Sequence, residues 1–477
     1  MSLGKQVVSS LKWTASTRLV GQMINWAITL LVIRLLVPQD YGLMAMATVI
    51  TAFFATVAEM GLGLAVIQSE NIDRAKLRQV FGAVLLINLC IFAGLQLSAP
   101  LIASFYKEVR LENIIRVLAI QFLLMSANTI PNAMLQREMQ FKKLTLAEMA
   151  TSICGNTCVL IAAWQGLGVW SLVIGALLDN GLKAIALNIL SPIRVLPSFR
   201  FTDTRKLFSF GGYVASSRVL WYFMAQSDVL IAGRMLGKDL LGYYSVSMYL
   251  AALPMQKIAV IINQVTFPAF ARMQNQPELI AKQVIRALRM LGMVAFPVLW
   301  GMSSVAPELV NFILGEKWAQ AVLPLTVLPF IIPLRMVSAF LSTTVQSIGR
   351  GDIDFWNTMT GVLVMPLAFF FGSQHGLEGL VLAWVIGVPV VFAINARRAL
   401  PIIGITFSVL ASALARPAFA AGLMYLAVIS VRAVLPTDTL LALKLALLCF
   451  TGAVVYGVAS MLTNREIIND MRKTLIS

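Results

Sequence analysis

Long apolar runs, each closed by proline, glycine or a cluster of charge, follow one another from one end of the chain to the other. An α-helix rising about 1.5 Å per residue needs about 20 apolar residues to cross a hydrocarbon core of about 30 Å. Windows of that length predict about fourteen membrane-spanning helices. They fall at 14–37, 42–67, 79–105, 113–136, 144–165, 169–190, 209–235, 241–268, 284–306, 319–347, 355–374, 377–396, 409–434 and 439–463. The segment "KQVVSSLKW" before them reads as a short amphipathic lead to a retained first helix, not as a cleaved signal. The fold class expected is an all-α polytopic membrane protein.

Composition agrees with the pattern. Of 477 residues, 59% are hydrophobic and 12% charged, where a soluble domain carries about 25% charge. The net charge of +16 would suggest nucleic acid in a soluble protein; in a membrane protein it reports topology and anionic lipid. Basic residues gather after even-numbered spans, as at Arg74, Lys76 and Arg78, at Arg137, Lys142 and Lys143, and at Arg397 and Arg398. Loops after odd-numbered spans are poorer in them, so both termini are expected in the cytoplasm. The longest connections, 191–208 and 269–283, are too short for a soluble domain. No nucleic-acid partner is expected.

A repeat emerges at an offset of 200 residues. "RLLVPQDYG" at 34–42 returns as "RMLGKDLLG" at 234–242, and Ala15, Ser16 and Arg18 return as Ala215, Ser216 and Arg218. A unit of six spans enters the membrane twice with the same orientation, which predicts two parallel lobes around a central cavity. The expected division is an N-lobe at 1–200, a C-lobe at 201–400, and two extra spans with a tail at 401–477. Arg34, Asp40, Arg234 and Asp239 mark the outer corners of the two lobes.

The run from Arg34 to Gln68, with Arg-Leu-Leu-x-Pro-x-Asp-Tyr-Gly after the first span and Gly61-Leu-Gly63-x-Ala65-x-Ile67-Gln68 closing the second, resembles the N-terminal region of polysaccharide transporters. These are the Wzx-type lipid-linked oligosaccharide flippases of the MOP superfamily, and the resemblance is nearest to the colanic-acid and exopolysaccharide type. The fourteen-span layout extends it over the whole chain. The resemblance implies a flippase that moves undecaprenyl-pyrophosphate-linked glycan from the cytoplasmic to the outer leaflet of a bacterial inner membrane by alternating access. Its partners would be that polyprenyl-linked glycan, membrane lipids and polysaccharide polymerase machinery.

Ionisable groups at membrane depth are costly and mark function. Arg18 lies about 24 Å inward of the Arg34 corner by helical rise, and Arg218 stands at the same level of the second copy. Lys257 and Arg335 come out about 22 Å into their spans. Guanidinium groups match phosphate oxygens bidentately, so these four form the expected head-group clamp, with snorkelling to the interface as the competing reading. Pro324, Pro329 and Pro333 predict a broken helix around Arg335. Glu59, Asp179, Lys183 and Asp228 are candidates for coupling or gating. Asp179 and Lys183, four apart, can pair on one helical face, whereas Glu148 is expected to be solvated near the inner interface.

Cys154 and Cys158 stand four apart with no histidine near, which reads as small buried residues and not as a metal pair. No cofactor or metal is expected, and the coupling ion, where there is one, would be H+ or Na+. Asp352-Ile-Asp354 has the spacing of sugar-transferase carboxylates but no donor-binding domain beside it, so an embedded glycosyltransferase or polymerase is disfavoured. A cation-coupled multidrug exporter would favour an acidic cavity, while these deep charges lean basic. A lipid II flippase shares the span count and the basic lining, and stays open as an alternative.

Overall fold

The computed structural model describes residues 21–59, 63, 66–67, 73–191, 195–200, 205–274, 276–436 and 438–464, with the side chains of 59, 205–218, 220, 255–269 and 271 outside that description. Among the described residues the chain is helical throughout, without a strand.

The first helices follow the predicted windows closely. Gly21–Leu35 (α1) and Pro38–Glu59 (α2) meet at the first corner. Arg74–Tyr106 (α3) opens on Asp73, whose carboxylate accepts from the Lys76 amide, one of the orphan donors at a helix start. The fourth span is built of two pieces, Arg110–Leu118 (α4) and Ile120–Arg137 (α5). Phe141–Trp164 (α6) and Val169–Leu190 (α7) complete the first six spans.

Arg205–Arg272 (α8) runs through 68 residues, but Gly237 at φ 77° and ψ −179° divides it into two arms. That backbone conformation strongly favours glycine. The second corner is therefore made by glycine where the first is made by Pro38. Pro277–Ser304 (α9), the single turn Ala306–Leu309 (α10) and Val322–Ser347 (α11) follow. Gly351–Ser373 (α12), Gly376–Ile403 (α13), Phe407–Val434 (α14) and Leu441–Thr463 (α15) end the described chain.

Eleven helical segments of the described residues are long and apolar enough to span a membrane. With the shorter α1 and the two arms of α8 they correspond to the expected layout of about fourteen spans. The protein is a multi-pass, all-α membrane protein.

By density of contact the chain divides into two units, Met1–Gly242 and Tyr243–Ser477. In the first, α6 lies along α7, and α5 packs on α3 and α7. Leu77, Val80 and Val84 of α3 close on Ile130 and Met134 of α5, while Val32 and Leu36 of α1 meet Val159 and Ala163 of α6. In the second, α12 pairs with α13, α11 with α13, and α9 with α14. Val305 joins Val428 of α14 and Leu448 of α15 in one apolar cluster.

Two sequence expectations fail at this level. The α11 helix is continuous through Pro329 and Pro333 and is not broken. A membrane helix tolerates proline where its surroundings satisfy the freed backbone groups. All four cysteines are free and lie at exposed positions of their helices, not in the interior.

Candidate functional site

Of the four expected head-group residues, Arg335 is the one whose side chain falls within the described structure. It sits half-buried near the middle of α11, and its guanidinium carbon stands 4.4 Å over the ring of Trp384 on α13. Trp384 is itself fixed on two sides. Its indole N–H donates to the hydroxyl of Tyr244 at 2.7 Å, and Phe369 of α12 packs against it with ring centroids 5.0 Å apart.

Tyr244 and Phe369 are fully buried. The second arm of α8 holds Tyr244 in place, because Ser247 Oγ donates to the Ala321 carbonyl at 3.0 Å and Tyr243 stacks edge-on against Trp318. A cation over an aromatic face gains about 2 kcal/mol when desolvated, which offsets part of the cost of keeping a guanidinium at membrane depth.

The other three members of the expected clamp are outside this description. Arg18 lies outside the described residues, as do the side chains of Arg218, Lys257 and Glu59.

In the first unit Asp179 and Lys183 interact along one helical face without closing to a direct ion pair. Lys183 Nζ reaches Glu148 Oε1 on α6 at 3.3 Å instead. Asp179 sits where α7 crosses α6, against the backbone of Gly155, so Lys183, one turn further on, meets the α6 carboxylate and not its own neighbour. Glu148 is thus ion-paired across two helices, where solvation alone was expected. A second polar link joins α1 to α6: Asn156 Nδ2 donates to Asn25 Oδ1 at 2.9 Å, and Asn25 Nδ2 donates to Ser152 Oγ at 3.0 Å. Asp228 is buried, and its Oδ1 accepts from the Val229 amide at 2.8 Å.

The corner residues are at the ends of their helices. Arg34 and Asp239 are exposed. Asp40 Oδ2 accepts from the Val37 amide at 3.2 Å and closes the turn into α2. Arg234 lies 5.8 Å from the centre of the Phe105 ring. Beside them, Lys238 Nζ meets Glu108 Oε2 at 2.6 Å, and Arg110 meets the other oxygen at 3.1 Å. Burial pushes the Glu108 carboxyl up, but Lys238 and Arg110 together hold it below the ordinary carboxylate range.

A further charged cluster escaped sequence reasoning. Glu308 of α10 is buried and takes Arg432 of α14 at 2.9 Å and Lys444 of α15 at 3.5 Å. Arg432 also donates to the Ser304 carbonyl. Trp384 was missed as well, since nothing in sequence ties it to Arg335. Among the described residues no group of histidine, cysteine, aspartate and glutamate is arranged to hold a metal.

The sequence profile described as "Polysaccharide biosynthesis protein" matches residues 31–323. The teichuronic acid biosynthesis protein TuaB of Bacillus subtilis is 28% identical over 389 residues, covering 81% of this chain and 80% of its own. The lipopolysaccharide biosynthesis protein WzxC of Escherichia coli is 23% identical over 389 residues, covering 81% and 79%. The succinoglycan biosynthesis transport protein ExoT of Rhizobium meliloti is 24% identical, covering 78% and 75%.

Two solved folds are similar. The lipid II flippase MurJ in an inward closed conformation superposes with a TM-score of 0.79 at 13% identity, covering 96% of this chain and 99% of that one. An inward-facing multidrug resistance MATE transporter of the MOP superfamily gives 0.64 at 16% identity, covering 80% and 94%. With the profile matching more than half of its length, this chain belongs to the polysaccharide biosynthesis protein family, and its fold is similar to that of a MOP-superfamily transporter.

Proposed function

We propose that this protein is a flippase that moves polyprenyl-pyrophosphate-linked oligosaccharide repeat units from the cytoplasmic to the outer leaflet of a bacterial inner membrane, for surface polysaccharide synthesis. The observation that carries the proposal is the half-buried Arg335 guanidinium, seated on Trp384 within membrane-spanning helices. A guanidinium at membrane depth marks a candidate functional site, and the oxygens of a pyrophosphate match the geometry of a guanidinium. The relatives' roles, in lipopolysaccharide biosynthesis and in succinoglycan biosynthesis transport, support a lipid-linked saccharide as cargo.

In this reading Arg335 acts with Arg18, Arg218 and Lys257 on the head group, and the cycle is alternating access. Glu59, Asp179, Lys183 and Asp228 remain candidates for coupling to H+ or Na+. The chain performs transport and no covalent chemistry, keeps both termini in the cytoplasm, and hands its cargo to polymerase machinery on the outer side. A lipid II flippase is the second reading. The MurJ likeness, at 13% identity, speaks for the fold and not for that cargo.

The test is deletion of the gene in its host, followed by lipid extraction. Accumulated polyprenyl-linked repeat units with lost surface polysaccharide support the proposal. Unchanged glycolipids with heightened drug sensitivity contradict it.

A further inference from the structure

The two corners that reveal the repeat also touch each other, in a reciprocal way. A Cβ on Gly42 would stand 1.8 Å from the carbonyl oxygen of Lys238 and 2.9 Å from its Cα. A Cβ on Gly242 would stand 1.9 Å from the carbonyl oxygen of Pro38 and 3.0 Å from its Cα. Residues 38 and 238, and 42 and 242, are the same positions of the two copies. Each copy's glycine therefore lies on the residue four before the glycine of the other copy. A contact in which i meets j and j meets i is the mark of a two-fold relation. Neither glycine has a positive φ, so close backbone approach, and not conformation, excludes a side chain there.

Below the glycines, α2 continues along the first arm of α8. A Cβ on Gly233 would stand 3.3 Å from Met46 Cγ. The Tyr222 hydroxyl donates to the Val49 carbonyl at 2.6 Å, and Phe53 packs on Phe223 with centroids 5.3 Å apart. At the same end of α8's first arm, the Lys238–Glu108 ion pair at 2.6 Å ties the second corner to the segment between α3 and α4.

We infer that the paired corners are a seal that closes one face of the transporter and parts in each transport cycle, with Lys238–Glu108 as its latch. At the two glycines the seal is backbone against backbone, so that part of the contact separates and re-forms without repacking side chains there. The ion pair adds a short-range attraction between the second corner and the segment joining α3 to α4. This inference rests on the transport reading above.

Two measurements in a cysteine-free background separate it from that reading. In the first, Glu108→Cys and Lys238→Cys are bridged by a short bifunctional thiol reagent with a cleavable disulfide. Movement of polyprenyl-linked saccharide should fall roughly tenfold or more on bridging and return on reduction. An unchanged rate in the bridged protein would overturn the seal, while leaving the flippase reading intact.

The second needs no transport. Leu241, fully buried beside Gly242, is replaced by cysteine and labelled with a membrane-impermeant maleimide. Labelling should rise when Gly42→Ala is added, but not when Gly94→Ala is added, since Gly94 has open space around it. Equal labelling in the two would overturn the seal whatever the cargo proves to be. If the Gly42→Ala chain does not accumulate, the bridging experiment still decides, because it keeps both glycines.

Discussion

The guanidinium of Arg335 lies over the indole of Trp384, 49 positions further along the chain, and the same indole is hydrogen-bonded to Tyr244. The stack sets the direction of the cation before any ligand arrives. Arg335→Ala should abolish complementation of a deletion host without loss of expression, and Arg335→Lys should restore it only in part, because an ammonium neither stacks nor forks. Trp384→Leu should lower transport roughly tenfold, the loss of a cation–π contact of about 1–2 kcal/mol, with Trp384→Phe intermediate. Transport rates at equal membrane abundance check the series.

Glu308 is the buried centre of a three-membered ion cluster with Arg432 and Lys444. Removing the one carboxylate leaves two cations facing each other. Glu308→Gln should therefore destabilise the protein by about 3 kcal/mol, in the range for breaking a buried pair. Lys444→Ala, whose ammonium sits further away, should cost less. Thermal unfolding of the purified protein in detergent reads both, and the effect should be on the attachment of α14 and α15 to the end of α9.

Across α6 and α7, Lys183 and Glu148 should behave as a pair. Lys183→Glu or Glu148→Lys alone places like charges about 3–4 Å apart and should lower stability or abundance by about 1 kcal/mol or more. The double reversal should recover most of that loss. A double-mutant cycle with no coupling would show that the contact contributes nothing.

Acidification should weaken the latch at the second corner. The Glu108 carboxyl titrates below its ordinary range in the folded protein. Its contribution is thus complete above the unfolded value of about 4.3 and is lost as pH falls through the folded value. Both side chains are partly solvated, so the size is about 1 kcal/mol or less. The unfolding midpoint of the parent should drop towards that of Glu108→Gln between neutral pH and the acid side of the carboxylate range, and the two should converge there.

The span layout was legible because bilayer thickness sets the length of an apolar run and charge or proline closes it. The repeat was legible from Arg34, Gly42 and their copies, and it led to the corners. The form of the corners was not. Pro38 and Gly237 solve the same turn by different means, and only backbone geometry reveals that the two corners meet. Arg335 stands out in sequence by its depth as a candidate, but the ring it lies over is set by how α11 crosses α13. Lys183 was matched to the carboxylate nearest in sequence, Asp179, when helix packing offered Glu148. Nothing in the sequence around Glu308 points to its two cations, which arrive from helices more than a hundred residues later.

The central claim is that the cargo is a lipid-linked saccharide. Its most direct measurement places the purified protein in vesicles with a polyprenyl-pyrophosphate-linked oligosaccharide confined to the inner leaflet, and follows the glycan's exposure to an impermeant glycan-modifying enzyme outside. The account predicts time-dependent exposure that requires the protein and disappears with Arg335→Ala. No exposure above protein-free vesicles, with cation-driven movement of a cationic drug in the same preparation, would contradict it.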